Sequence, residues 1–528
     1  MFLKIFILVL FFAVMIGVGI YCRKSAANVQ GFVLGDRKVG SWLTAFAFGT
    51  SYFSAVIFVG YAGQFGWKYG LSATWIGLGN ALIGSLLAWR ILGRRTRLMT
   101  QYLKSATMPD FFGQRFNSQA LKVAASVIVF VFLIPYTASL YNGLSRLFGL
   151  SFGIDYSWCV IGMAVLTGIY VLVGGYMATA VNDFIQGMIM LVGIVAVILA
   201  VLNGNGGFTA AIEKLSQLQS ESAPSLNGAF VSFFGPQPLY LLGVVLLTSL
   251  GTWGLPQMVG KFYAIRDEAA IRKGTFISTF FAIIVAGGCY FLGGFGRLYG
   301  NVIEFGPNGN PVYDSIVPSM LQTLPDLMIG VVIILVLSAS MSTLSSLVLT
   351  SGSTLTLDII KPIRAKSGKD MSEKSQLLSI RLLVVFFIVV SSVLAIIQAK
   401  SSVTFIAQLM GISWGALAGA FLAPFMYGLY WKKTTKASVW ASFIVGVGIM
   451  CGCMYGTFTK TTFISPFFSS PINAGVLSMV SGLIIVPIVS LFSKINDKES
   501  VDKMFSCYDR QVTVHASTSL MDADEVKK

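Results

Sequence analysis

Charge is what this sequence has least of. Of its 528 residues, only 11% are Asp, Glu, Lys or Arg, against about 25% in soluble globular chains. A soluble protein of this length would form roughly three domains, and so few charges could not cover their water-facing surfaces. The one histidine, His515, stands in a polar C-terminal tail, which removes most metalloenzyme and imidazole-base mechanisms. The six cysteines (Cys22, Cys159, Cys289, Cys451, Cys453 and Cys507) show neither metal-ligand nor disulfide spacing. Acidic residues are outnumbered by basic ones, 21 to 37. Cytoplasmic loops of membrane proteins are basic in any case, so the excess does not argue for nucleic acid.

Apolar sequence is what the chain has in abundance. Hydrophobic residues make up 55% of it, mean hydropathy is +0.79, and runs long enough to span a bilayer recur from residue 2 to residue 495. This is the pattern of an all-α polytopic membrane protein. It excludes disorder, coiled coil, a secreted disulfide scaffold and an outer-membrane barrel, whose strands alternate rather than run continuously apolar. Thirteen spans are expected, near 2–22, 40–65, 70–92, 120–148, 156–176, 178–202, 238–258, 274–298, 327–352, 378–399, 402–430, 436–457 and 471–493. The first is long for a signal peptide, and Arg23-Lys24 follows where a small-residue cleavage site would stand. It is read as a helix.

Two segments are poor straight helices. Span two reads Phe48-Gly49-Thr50-Ser51-Tyr52-Phe53-Ser54, with polar residues at mid-bilayer, and span seven reads Ser249-Leu250-Gly251-Thr252-Trp253-Gly254-Leu255-Pro256-Gln257. Unwound backbone at that depth is tolerated only where it lines a cavity or is buried in protein. The segments lie five spans apart, so spans two to six and seven to eleven form two halves. An odd helix number per half forces opposite orientations. Paired broken helices opening two inverted five-helix units point to a secondary transporter with a midplane site. The plainer alternative is that Gly and Pro are simply common in membrane helices.

Span nine is rich in hydroxyls: Ser338, Ser340, Ser342, Thr343, Ser345, Ser346, Thr350 and Ser351. Positions 342, 346 and 350 share one helix face. Hydroxyls, with carbonyls freed by a helix break, suit a hard cation such as Na+; Ser and Thr also line ordinary helix contacts. Asp183, early in span six, is the clearest carboxylate within an apolar stretch. Three roles are open to it: completing a second cation site, carrying a proton, or sitting at the cytoplasmic interface.

These residues reach a known family. Phe32-Val33-Leu34-Gly35-Asp36-Arg37, Thr107-Met108-Pro109-Asp110-Phe111-Phe112 through Arg115-Phe116, Gly174-Gly175 through Asp183 and Gln186, Ala339-Ser340-Met341-Ser342-Thr343-Leu344-Ser345, and Pro424 through Gly428-Leu429-Tyr430-Trp431-Lys432 resemble, in order and spacing, the sodium:solute symporter family. Its bacterial members include proline, pantothenate, galactose and sialic acid symporters. The resemblance implies an inverted five-plus-five core with one extra N-terminal and two extra C-terminal helices. On this plan the N-terminal helix is 1–22, the first repeat 40–202, the second 238–430, the last two helices 436–493 and the tail 494–528. It also implies Na+ as coupling ion, alternating access and no enzymatic activity. Carried over, the main sodium site is Thr50, Phe53, Ala339, Ser342 and Thr343. A second site, found in some members, maps to Asp183, Ser345 and Ser346, which favours two ions per cycle; Tyr52 stands there where Thr is typical. Proline symporters carry Asp at the position of Tyr52, which argues against proline. Asn182-Asp183 through Gln186, and Gly254-Leu255-Pro256-Gln257, look most like the pantothenate and sialic acid branches. The expected solute is therefore a small organic carboxylate, with a sugar or amino acid as the alternative. Candidate solute contacts, from their location near the breaks or on facing helices, are Ser54, Gln64, Asn80, Tyr136 and Gln257.

Other classes fit less well. A channel builds its filter from several copies of a short pore segment, a membrane enzyme needs a buried nucleophile–base set or metal ligands, and a sensor needs an output domain longer than a tail of about 30 residues. Expected partners are the solute, sodium ions and the lipid bilayer, not nucleic acid.

Basic residues set the orientation in a cell membrane. With the N-terminus outside and the C-terminus cytoplasmic, only Lys4, Lys68, Arg146, Lys214, Arg297, Lys400 and Lys460 of the 37 fall outside. Cysteines placed singly at positions 366 and 309 of a cysteine-free chain test this. A membrane-impermeant thiol reagent added outside intact cells should label position 309 and spare 366; labelling of 366 would reverse the topology.

Overall fold

The computed structural model describes residues 2–152, 155–305, 309, 311–322, 324–399, 406–494 and 497–509; His515 lies outside them. Within them the chain is helical almost throughout, with two isolated β-bridges and no longer strand. Ten described helices are long and apolar enough to cross a membrane, or eleven with the bent pair Pro238–Gly254 and Pro256–Ala264. This is fewer than the thirteen spans expected. The difference lies in two runs, Val56–Tyr102 and Tyr156–Gly204, of 47 and 49 residues. A straight helix of the second length would be about 74 Å long, more than twice the ~30 Å hydrocarbon core. Each run is interrupted by one glycine in an unusual conformation: Gly70 at φ 64°, ψ −141° and Gly175 at φ 55°, ψ −149°. Residues with a Cβ rarely adopt either, and each glycine divides its run in two.

The two breaks fall where the sequence is least helical. Ser41–Tyr52 ends at Phe53, which is extended (φ −101°, ψ 103°), and helix resumes beyond Ser54. In span seven, Pro238–Leu250 tightens to a 3-10 turn over Gly251–Gly254, Leu255 is extended, and Pro256 opens Pro256–Ala264 after a 46° bend. Proline suits that first position because its missing N–H would have no partner there. The expected boundary at 258 is thus corrected: the second half-helix runs on to Ala264.

The broken helices run antiparallel. Val39, just before the first, forms a bridge with Ile265, just after the second: Val39 N–H donates to the Ala264 carbonyl (3.2 Å) and Arg266 N–H to the Val39 carbonyl (2.9 Å). Arg37 reinforces this end by donating to the carbonyls of Tyr263 (3.1 Å) and Ser105 (2.6 Å). At mid-depth Tyr52 Oη donates to the Thr248 carbonyl (2.7 Å). Around this pair pack the run Tyr156–Gly204, the hydroxyl-rich helix Asp326–Thr354 and the helix Ile406–Tyr430. The last is the most enclosed of the candidate spans, with 89% of its apolar window buried.

Gly175 sets the turn that delivers Asp183. A Cβ there would stand 2.9 Å from both Cδ2 and the carbonyl oxygen of Phe32. Gly175→Ala should therefore cost about 1–3 kcal/mol from conformation alone, read as a lowered melting temperature of the detergent-purified protein. Gly17→Ala, with nothing within 4 Å, should leave it unchanged.

Candidate functional site

The first break frees backbone carbonyls. Beyond Tyr52 the chain is extended, so no following N–H returns to the carbonyls of Thr50 and Ser51; Phe53 N–H still reaches Gly49 (3.0 Å). An orphan carbonyl in a dry interior costs of the order of 1–3 kcal/mol, and the hydroxyl-rich helix fills the gap. Ser342 Oγ and Thr343 Oγ1 each donate to the Thr50 carbonyl at 3.2 Å and to the Ala339 carbonyl at 3.2 Å. Thr343 also lies 3.5 Å from the Ser51 carbonyl. Thr50, Ala339, Ser342 and Thr343 thus come together as neutral oxygens with short edges, all buried, and Phe53 stands at the break itself. A small hard cation could replace the shared protons as the electrophile for this set.

One helical turn along, Ser346 Oγ bonds Ser51 Oγ (2.8 Å) and accepts from Lys261 Nζ (2.9 Å). Lys261 Nζ lies 3.7 Å from Asp183 Oδ2, and both residues are buried, at 3% and 0% exposure. The Tyr176 ring stands 5.4 Å from the same ammonium. Asp183 and Ser346, two of the three residues given to a second sodium, therefore face a cation of the chain's own; Ser345 instead donates to the Ser342 carbonyl (2.9 Å). Tyr52 does not fill this place, since its hydroxyl goes to Thr248. Lys261 was missed because span seven was ended too early, which put it among the cytoplasmic loop residues. The signal was present: Met258-Val259-Gly260-Lys261-Phe262-Tyr263-Ala264 is apolar but for the one lysine.

The solute candidates divide. Tyr136 meets Trp414 edge-on (5.9 Å between centroids), and Trp414 stacks on Tyr52 (5.9 Å, 22°). Ser54 is a polar neighbour of Tyr136. These residues form an aromatic wall beside the first break; Trp414 was not among the candidates. Asn80 Oδ1 accepts from Thr248 Oγ1 (2.9 Å) and Ser249 Oγ (3.2 Å), which ties span three to the second break. Gln257 lines a cavity of about 50 Å³ together with Lys261, Tyr176, Thr179 and Ser346. Its side-chain amide, buried at 3% exposure, has no hydrogen-bond partner among the described residues. Gln64 stands apart, roughly 15 Å along the helix from Ser54.

Comparison with known proteins decides the family. Residues 32–446 match the model of the sodium:solute symporter family. The chain belongs to that family. It is 30% identical over 448 residues to sodium/proline symporter 2 of Staphylococcus saprophyticus, covering 83% of each chain. It is 28% identical to an osmoregulated proline transporter of Bacillus subtilis, covering 90% of this chain and 93% of that one. Among solved structures, a Na+-coupled sialic acid symporter in a substrate-bound outward-open state superposes with a TM-score of 0.71, covering 94% of this chain and 99% of the other at 17% identity. At that identity the likeness establishes the fold. This symporter is a multi-pass membrane transporter that uses Na+ as coupling ion, and not an enzyme.

The oxygens at the first break carry a prediction. Ser342→Ala and Thr343→Ala each remove one hydroxyl, and hydrogen-bonding groups on a charge contribute about 1.5–3 kcal/mol. Each variant should insert normally and need about tenfold more Na+ for half-maximal stabilisation against heat. Unchanged Na+ dependence in both would remove these residues from the sodium site.

Proposed function

We propose that this symporter imports a small organic carboxylate together with Na+, by alternating access between two inverted repeats at 40–202 and 238–430. On this reading the helices at 436–493 are peripheral and the tail from 494 is cytoplasmic, with the N-terminus outside the cell. The observation that carries the reading is the convergence of Ser342 and Thr343 on the Thr50 carbonyl. It couples a hydroxyl-bearing helix to the break that also borders the aromatic wall, so a sodium ion held there would favour one arrangement of the solute site. Na+ binding then biases the conformational equilibrium by its differential affinity for the two states.

The wall of Tyr52, Tyr136 and Trp414, with the unpaired amide of Gln257, suits a compact solute with an apolar body and a few polar groups. A second reading is proline itself, favoured by the names of the similar relatives. Tyr52 weighs against it, because the acidic residue of proline symporters is replaced here by a neutral phenol committed to Thr248.

Uptake into proteoliposomes tests both. Labelled carboxylates, amino acids and sugars should be offered with and without an inward Na+ gradient. A carboxylate should accumulate only with the gradient, and proline should not. Accumulation of proline alone would establish the second reading, and accumulation of a sugar alone would defeat both.

A further inference from the structure

The oxygens around Lys261 have the makings of a cation site. Asp183 is wholly buried, and neither carboxylate oxygen has a hydrogen-bond donor within reach among the described residues. The lysine ammonium, 3.7 Å away, is the charge that faces it. Ser346 accepts from the same ammonium and is joined to Ser51 on the first broken helix. Four elements therefore meet here: the helix after Gly175 through Asp183, the hydroxyl-rich helix through Ser346, the first broken helix through Ser51, and the half-helix Pro256–Ala264 through Lys261. A buried carboxylate with two hydroxyls calls for a positive charge, and a free ion would satisfy it. Here the charge is covalently attached to the second broken helix.

We propose that Lys261 is the resident cation of this site and takes the place of a second sodium ion, so that one Na+ binds per protein. The proposal rests on the sodium-coupled reading above. Being part of the chain, the ammonium cannot be carried across the membrane. It can only travel with the half-helix Pro256–Ala264, holding that half-helix to Asp183 and Ser346 while the site is closed around it. The chain thus keeps the clamp that a second ion would provide and gives up the transported charge.

The test counts sodium on the full-length purified protein, by equilibrium binding of radiolabelled Na+ without added solute. The unaltered chain should bind one ion. Lys261→Met keeps the length and removes the charge, leaving Asp183 unpaired; it should bind two. Adding Asp183→Asn to Lys261→Met removes the need for a cation and should return the count to one. Two ions bound by the unaltered chain would overturn the proposal alone, as would a folded Lys261→Met protein that stays at one. No ion bound by the unaltered chain would instead overturn the sodium reading beneath it. If Lys261→Met does not fold, the unaltered chain and the charge-neutral double variant decide, both being required to bind one.

Discussion

The structure turns on backbone carbonyls that have lost their helical donors in a place without water. In a soluble protein the break after Tyr52 would cost little, because solvent would take up the carbonyls of Thr50 and Ser51. Inside a membrane protein each must find a partner within the chain. That need places the hydroxyl-rich helix against the break, with Ser342 and Thr343 donating to Thr50. It also binds the two broken helices together, since Tyr52 on one donates to the Thr248 carbonyl at the end of the other. The same lack of water makes the oxygens useful. Partners that are only shared hydroxyl protons can be displaced by a cation, whereas the N–H groups of an intact helix cannot.

A second constraint is charge. Asp183 and Lys261 are each expensive to bury alone, and at this distance they offset one another. A free sodium added to the same oxygens would sit within about 4 Å of the ammonium. Like charges at that separation repel by roughly 4 kcal/mol at an effective dielectric constant of 20. Lysine and a second ion are therefore alternatives at this site rather than companions.

The plan was legible in the sequence because it follows from long-range regularities. Apolar runs fixed the helical class, and the two Gly-rich, polar interruptions five spans apart marked the inverted halves. Of the hydroxyl face read at 342, 346 and 350, Ser342 meets the Thr50 carbonyl and Ser346 meets Ser51, while Thr350 bonds back to the Ser346 carbonyl. What escaped reading depended mostly on local geometry and on packing between distant helices. The junctions expected at 65–70 and 176–178 fall at Gly70 and Gly175, although helix continues close on either side of each. Lys261 looked like a loop cation because a lysine ordinarily ends a span, but the apolar run continues past it to Ala264 and the half-helix after Pro256 holds it in the interior. Trp414 lay unremarked in an apolar helix, and its place against Tyr52 and Tyr136 comes from packing between helices far apart in sequence. Gln64 was grouped with the break by its nearness in sequence, although a helix separates residues ten apart by more than the width of a solute.

Exchanging an ion for a side chain, as proposed for Lys261, would have an energetic consequence for transport. Each Na+ moving through a 100 mV potential supplies about 2.3 kcal/mol, which supports roughly a 50-fold gradient of a neutral solute at 1.4 kcal/mol per tenfold. Two ions would square that figure. A solute carboxylate with no compensating charge opposes the potential by one unit, so with one Na+ the net charge moved is zero and accumulation would rest on the sodium concentration gradient alone. A resident lysine therefore suits a solute that need not be concentrated thousands-fold. On the proposed reading it would also keep the second broken helix under the control of a fixed charge pair rather than of the sodium concentration, and the oxygens at the first break would be the place where sodium acts on the cycle.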